Sequence, residues 1–211
     1  MHPSYTFPFF ATVTAVLAHQ EPFVLHRDAA HHPDLPQDVQ VSDIVLSGSG
    51  CPPSYAPGQK LSDPTILILP STSFTAESGR GQATIDGRTN CQILARLRYP
   101  SGWQFSVTKA EYAGYARLPE GITGTSKTTY FFSSSDGAEV SSSKTLDGPY
   151  DDTYSRSDTF EDSNTVWSSC GPEALLNVNS EVRLAPLGSN LKAVIGVNTP
   201  ENVGITWRKC G

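Results

Sequence analysis

Apolar residues recur at every second position along several stretches of this chain, the spacing of strands that bury one face. The run from Cys91 to Tyr99 shows it most plainly: Ile93, Ala95, Leu97 and Tyr99 share one parity, while Leu94, Arg96 and Arg98 share the other. One face is core and the other carries two cations. Trp103, Phe105 and Val107 alternate in the same way after a Pro100-Ser101-Gly102 turn, so the two runs read as a hairpin. The second arm is expected to continue through Tyr112-Ala113-Gly114-Tyr115-Ala116-Arg117-Leu118, with Gly114 marking a bulge or the close approach of another group. A bulge there would aim Tyr112, Tyr115 or Arg117 at a ligand.

Further strands are expected from Val41, over Thr125 to Phe132, over Leu176 to Leu184 and over Gly204 to Cys210. Ile66-Leu67-Ile68-Leu69 is apolar on both parities, as in a central strand covered on both faces. Two stretches break the pattern: Ser133 to Ser143 and Asp147 to Ser163 are polar and read as loops too long to be simple turns, of the kind that cover a site. Long helices find no support, because Gly 17, Pro 16 and many Ser and Thr favour short strands and turns. The expectation is an all-β fold, two packed antiparallel sheets in a sandwich of the jelly-roll type rather than a closed barrel, forming a single domain over 41–211.

The first residues differ from this body. Met1 to Ala18 holds an apolar stretch from Phe7 and ends in Val16-Leu17-Ala18, which reads as a signal peptide despite the lack of Lys or Arg at its start. Residues 19–40 follow as an extended segment without periodicity. Cys51, Cys91, Cys170 and Cys210 allow three pairings. Cys51–Cys91 with Cys170–Cys210 is favoured, since each bridge ties neighbouring strands and closes a loop of similar length. A secreted or secretory-pathway protein is expected, free of the membrane, because no later apolar run reaches the ~20 residues of a span.

Charge and residue type narrow the chemistry. The net charge of -6 and the lack of a basic run exclude a nucleic-acid partner. All five histidines, His2, His19, His26, His31 and His32, precede the body, so it offers no imidazole as base or ligand. No CxxC pair supports zinc, and no metal is expected. Asp147, Asp151, Asp152, Asp158, Glu161 and Asp162 form an acidic cluster that reads as a solvated loop rather than a glycosidase pair. Aromatic residues remain, and an apolar pocket with a few donors would follow if several lined one cavity with Arg96, Arg98, Arg117 or Lys127.

In Gly48-Ser49-Gly50-Cys51-Pro52, Asn90-Cys91, Tyr99-Pro100-Ser101-Gly102-Trp103, Tyr112-Ala113-Gly114-Tyr115-Ala116, Tyr130-Phe131-Phe132, Gly148-Pro149, Trp167-Ser168-Ser169-Cys170-Gly171 and Trp207-Arg208-Lys209-Cys210, the chain resembles a family of small fungal secreted proteins long labelled a domain of unknown function. The resemblance spans Gly48 to the C-terminus and implies a secreted β-sandwich with its four cysteines paired. One branch it resembles acts as hetero-Diels-Alderases, joining a tropolone-derived ortho-quinone methide to a humulene-type sesquiterpene. Ala113 departs from the pattern, which places a basic residue before Gly-Tyr, and its small side chain opens room beside the sheet.

That branch implies a cofactor-free pericyclase acting on small-molecule tropolone and terpene substrates. The residues that suit its chemistry by strand parity and type are Arg98, Tyr115, Arg117 and Tyr130 as polar catalytic contacts, with Trp103, Tyr112, Lys127 and Trp167 binding the ligand. The alternative is a non-catalytic secreted protein that binds a glycan, a cell wall or a host factor. A closed apolar cavity would favour the enzyme, and exposed aromatics the binder. Oligomeric state is left open.

Overall fold

The computed structural model describes residues 35–134, 136–161, 165–200 and 202–211. The leader and most of the extended segment after it lie outside the described residues. Twelve strands occur among them: β1 Gln40–Ser47, β2 Ser54–Lys60, β3 Ile66–Ile68, β4 Ser73–Ser78, β5 Arg88–Arg98, β6 Trp103–Leu118, β7 Thr123–Phe132, β8 Glu139–Asp147, β9 Tyr150–Thr159, β10 Glu173–Ala185, β11 Ala193–Asn198 and β12 Asn202–Lys209. The first sheet runs β2-β1-β5-β10-β7-β8, and all its pairs are antiparallel. In the second sheet, β11 and β12 run end to end along one edge of β6, β9 takes the other edge, β4 flanks β11 and β3 flanks β12.

Both sheets bury one parity of their strands against the other sheet. Ile93, Ala95 and Leu97 of β5 and Leu176, Val178 and Val182 of β10 are fully buried, as their alternation predicts. Each such aliphatic side chain contributes roughly 1.5–3 kcal/mol of transfer free energy. Tyr99, Phe105, Phe132 and Trp207 close one end of the core with ring centroids 5.0–5.7 Å apart. The favoured disulfides are both formed: Cys51–Cys91 ties the segment after β1 to β5, and Cys170–Cys210 ties the segment before β10 to the C-terminus.

Several local expectations are corrected. β5 and β6 are not a hairpin, since β5 pairs with β1 and β10 while β6 pairs with β9, β11 and β12, and the Pro100-Ser101-Gly102 turn carries the chain from one sheet to the other. Ile66 to Leu69 is not a central strand. β3 lies at a sheet edge, Leu67 and Leu69 point inward, and Ile66 and Ile68 remain 41 % exposed. The two polar stretches taken for loops contain β8 and β9. The body also reaches back past Val41: Val39 is buried, and Leu35 packs against the core.

The bulge in β6 lies at Thr108 rather than Gly114. Ile205 faces Val107 and Gly204 faces Lys109, so Thr108 is the extra residue. One extra residue reverses the parity that follows. Trp103, Phe105 and Val107 are buried before the bulge, and Ala110, Tyr112, Ala116 and Leu118 after it, while Ala113, Tyr115 and Arg117 face out.

Candidate functional site

Tyr112 and Tyr115, three residues apart, lie on opposite faces of the second sheet by strand alternation, and the parity switch at Thr108 makes Tyr112 the one that points inward. Strand register then fixes what surrounds each. On the outer face, one row across β4, β11, β6 and β9 reads Ser73, Asn198, Ala113 and Ser155, and the next reads Thr75, Gly196, Tyr115 and Thr153. These rows line an open groove of about 750 Å³. Four strands at the usual spacing make it roughly 14 Å wide.

Small residues form its floor. A Cβ on Gly196 would stand 2.9 Å from the Thr75 methyl group. Gly114, whose backbone also lines the groove, allows the close approach foreseen from the sequence: a Cβ there would fall 2.2 Å from the Gly196 carbonyl oxygen and 2.6 Å from the Tyr154 ring. Tyr154 uses that space to donate a hydrogen bond to the Gly196 carbonyl at 2.9 Å, locking β9, β6 and β11 together beneath the groove. Asn198 accepts from the Ser73 hydroxyl at 2.7 Å through Oδ1, which leaves its Nδ2 donors for a ligand or water.

Of the aromatic residues that line the groove, Phe74 and Tyr154 are buried and Tyr115 is the exposed one, at 36 %. Its hydroxyl donates to Asp151, whose carboxylate also accepts from Arg117 Nε at 3.0 Å. The Arg117 guanidinium stands 6.0 Å from the Tyr115 ring centroid. Asp151 is held below the ordinary carboxylate range, first by the Tyr115 hydrogen bond and then by Arg117, and Tyr115 is raised chiefly by the same bond. The ring is therefore tethered before any ligand arrives, which lowers the ordering cost of binding.

The inner face of the same strand pair holds a second group of the same residue types. Arg156 pairs with Asp158, Nε to Oδ1 at 2.8 Å, with both side chains at most 5 % exposed. Arg156 also donates to the Ser126 carbonyl at 2.8 Å and to Thr128 Oγ1 at 2.6 Å on β7, and its guanidinium covers the Tyr112 ring at 4.2 Å. Tyr130 donates to Asp158 at 2.9 Å, and its hydroxyl lies 2.6 Å from that of Tyr112. Burial raises the Tyr130 and Tyr112 hydroxyls far above their ordinary range, so both stay neutral. Phe160 packs edge-on over Tyr130. This cluster joins the two sheets and has little contact with solvent.

The eight candidate residues thus occupy separate places. Tyr115 and Arg117 meet at the groove, and Tyr112 and Tyr130 meet in the interior. Arg98 is an exposed cation 3.6 Å from Glu173. Lys127 is exposed on β7 in the first sheet. Trp103 is buried under Lys209, and Trp167 lies under Arg208 at 3.9 Å. Sequence reasoning missed Ser73, Thr75, Thr153, Gly196 and Asn198. Among the described residues, no group of three His, Cys, Asp or Glu side chains converges as metal ligands would.

Residues 37–210 match the family described as Domain of unknown function (DUF4360). The chain belongs to this family. A family-scale relative, an uncharacterized secreted protein of Arthroderma benhamiae, is 36 % identical over 180 residues, covering 83 % of this chain and 73 % of its own. With two disulfides formed, that relationship identifies a secreted fungal β-sandwich protein. Among solved structures, TmCBM61 in complex with beta-1,4-galactotriose superposes with a TM-score of 0.30 at 9 % identity over 78 % of this chain and 88 % of that one. The GH31 alpha-xylosidase from Xanthomonas citri gives 0.21 at 8 % identity over 83 % and 18 %. Superpositions this weak carry no argument about ligand or chemistry.

Proposed function

We propose that this protein is a secreted glycan-binding protein and that its site is the groove over Ala113, Gly196 and Tyr115. The observation that carries this reading is a tethered, part-exposed aromatic ring beside a flat floor, bordered by the hydroxyls and amide of Ser73, Thr75, Thr153, Ser155 and Asn198. A sugar ring presents C–H groups on its face and hydroxyls at its rim. An aromatic face answers the first, and short polar side chains answer the second. An open groove also lets a chain pass through, whereas a small-molecule pocket encloses its ligand.

Affinity electrophoresis against soluble β-glucan, xylan, galactan, mannan and pectin tests the reading. Retardation by at least one polymer is expected, with a loss of about tenfold or more in Tyr115→Ala, since stacked aromatic anchors dominate such sites. Migration unaffected by every polymer would overturn it.

One observation favours a second reading, the hetero-Diels-Alderase acting on a tropolone ortho-quinone methide and a humulene-type terpene. Arg117 gives only its Nε to Asp151, and its remaining guanidinium donors, beside Tyr115 at the end of the groove, suit an oxygen that gains charge. It ranks second because an open groove leaves both apolar partners partly in water and restrains their orientation weakly. Incubation with a hydroxymethyl-tropolone and humulene decides it: a single stereoisomer formed faster than in a protein-free control supports the activity, and an identical product profile ends it.

A further inference from the structure

Beyond Tyr115 the outer face of the second sheet changes from hydroxyls to charges. The next row reads Glu77, Val194, Arg117 and Asp151 across β4, β11, β6 and β9. It opens onto a second depression of about 610 Å³, whose lining includes Arg80, Lys192, Arg117, Glu77, Gln82 and Asn190. Arg117 is the joint between the two, lying in this depression and two residues along β6 from the groove's Tyr115.

The charges here are unevenly matched. Lys60, Arg88, Arg96, Arg98, Lys109, Arg117 and Arg156 each have a carboxylate partner. Arg80, Lys127, Lys144, Arg183, Lys192, Arg208 and Lys209 take part in no ion pair among the described residues, and of these Arg80 and Lys192, both exposed, share this depression. Glu77, the carboxylate beside them, accepts instead from Thr75 at 3.4 Å and from Gln82 at 3.3 Å. On a chain of net charge -6, this is a local excess of positive charge at the end of a groove.

We infer that the groove takes an acidic glycan, a uronate-bearing chain with one sugar on Tyr115 and a neighbouring carboxylate held by Arg80, Lys192 and Arg117. The inference rests on the glycan reading of the groove and adds the charge of the ligand. A guanidinium and an ammonium both donate charge-assisted hydrogen bonds to a carboxylate. Because these cations face solvent, their attraction is screened by salt. The net negative charge of the molecule opposes a polyanion, so a preference for one requires a local cluster of cations such as this patch, and the double variant below separates it from the cations elsewhere.

The test compares one polymer in two charge states: polygalacturonate and its fully methyl-esterified form, titrated against the intact oxidised protein. The expected result is a preference of about tenfold for the acid at low salt, equivalent to about 1.4 kcal/mol. It should shrink toward unity near 1 M salt, where the Debye length is about 3 Å, and in the double variant Arg80→Gln with Lys192→Gln. Tyr115→Ala should weaken both polymers. Equal affinity for the two, lost in Tyr115→Ala, would keep the glycan site and overturn the acidic ligand. Acid preference that survives the double variant would overturn this location for the carboxylate. Binding of neither polymer would overturn the inference, leaving the glycan reading to the neutral polymers.

Discussion

The two faces of the β6–β9 pair carry the same kinds of side chain in opposite surroundings. Inside, Tyr112, Arg156 and Asp158 meet Tyr130; outside, Tyr115 meets Arg117 and Asp151. The inner ion pair is 5 % and 0 % exposed, and the outer one 58 % and 57 %. Solvent access is what separates their roles. A buried pair has lost its hydration and is held by its partners alone, so removing one partner strands the other. An exposed pair exchanges with water at little cost and remains available to a ligand. The inner group is accordingly a clasp between sheets, and the outer group a contact surface.

The largest expected effect breaks the clasp. Asp158→Ala leaves the Arg156 guanidinium buried without a counter-charge and should cost about 3–5 kcal/mol in urea unfolding. Replacing both partners, Arg156→Met with Asp158→Leu, should recover most of that loss, because an apolar pair incurs no charge desolvation. A single variant as stable as the parent would show that the inner group is not a clasp. Next in size is the loss of one bridge. The Cys51→Ser, Cys91→Ser double variant opens a loop of sequence separation 40 and should lose roughly 3–4 kcal/mol by the chain-entropy relation. Disulfide removal stabilises the unfolded ensemble wherever the bridge sits, so glycan retardation should persist as long as the variant is folded.

This contrast between faces was only half legible in the sequence. β5 and β10 declare themselves because aliphatic residues fill one parity, and both bridges form as expected, though only Cys51–Cys91 ties adjoining strands, since Cys170–Cys210 joins segments beside β10 and β12 in different sheets. β9 does not, because its inward positions are Tyr154, Arg156 and Asp158, and polar side chains on the core parity read as a loop. The signal was present as Tyr154-Ser155-Arg156-Ser157-Asp158, where large side chains alternate with serines. The Thr108 bulge was hidden for another reason: a parity change within one strand looks like noise until the partner β12 supplies the register. Of the groove, only the β6 members Ala113, Gly114 and Tyr115 were legible, since its rows are assembled from β4, β11, β6 and β9, segments far apart in the chain. Ile66 and Ile68 show the converse failure, where apolar residues at an edge stay partly exposed and imitate a central strand.

Alkaline pH sharpens the comparison at smaller amplitude. Tyr99, Tyr112, Tyr130 and Tyr154 are raised in the fold chiefly by burial. A raised pKa means that the native state holds the proton more tightly than the unfolded chain. The stability this contributes is complete below the unfolded tyrosine value of about 10 and is lost as pH rises above it. The melting midpoint should fall steadily above about pH 10, with tyrosinate absorbance from these residues appearing together with unfolding rather than before it. Tyr130→Phe should flatten part of that fall. Independent titration of all eight tyrosines in the native state would contradict the burial of the inner group.

The smallest expected change in stability belongs to the outer group, and there the readout that matters is binding. Asp151 lies below its ordinary range because Tyr115 and Arg117 donate to it. Its contribution is therefore present above the unfolded aspartate value of about 3.9 and is lost as pH falls through the lower folded value. Solvent screens the carboxylate, so Asp151→Asn should leave the melting midpoint near that of the parent. It should nonetheless loosen the tether on the Tyr115 ring and weaken glycan retention, less than Tyr115→Ala does, because the ring itself remains. Retention in the parent should likewise decline at low pH as Asp151 protonates, and Asp151→Asn should remove that dependence. An Asp151→Asn protein that melts well below the parent while binding unchanged would reverse the assignment, making the outer group the structural one.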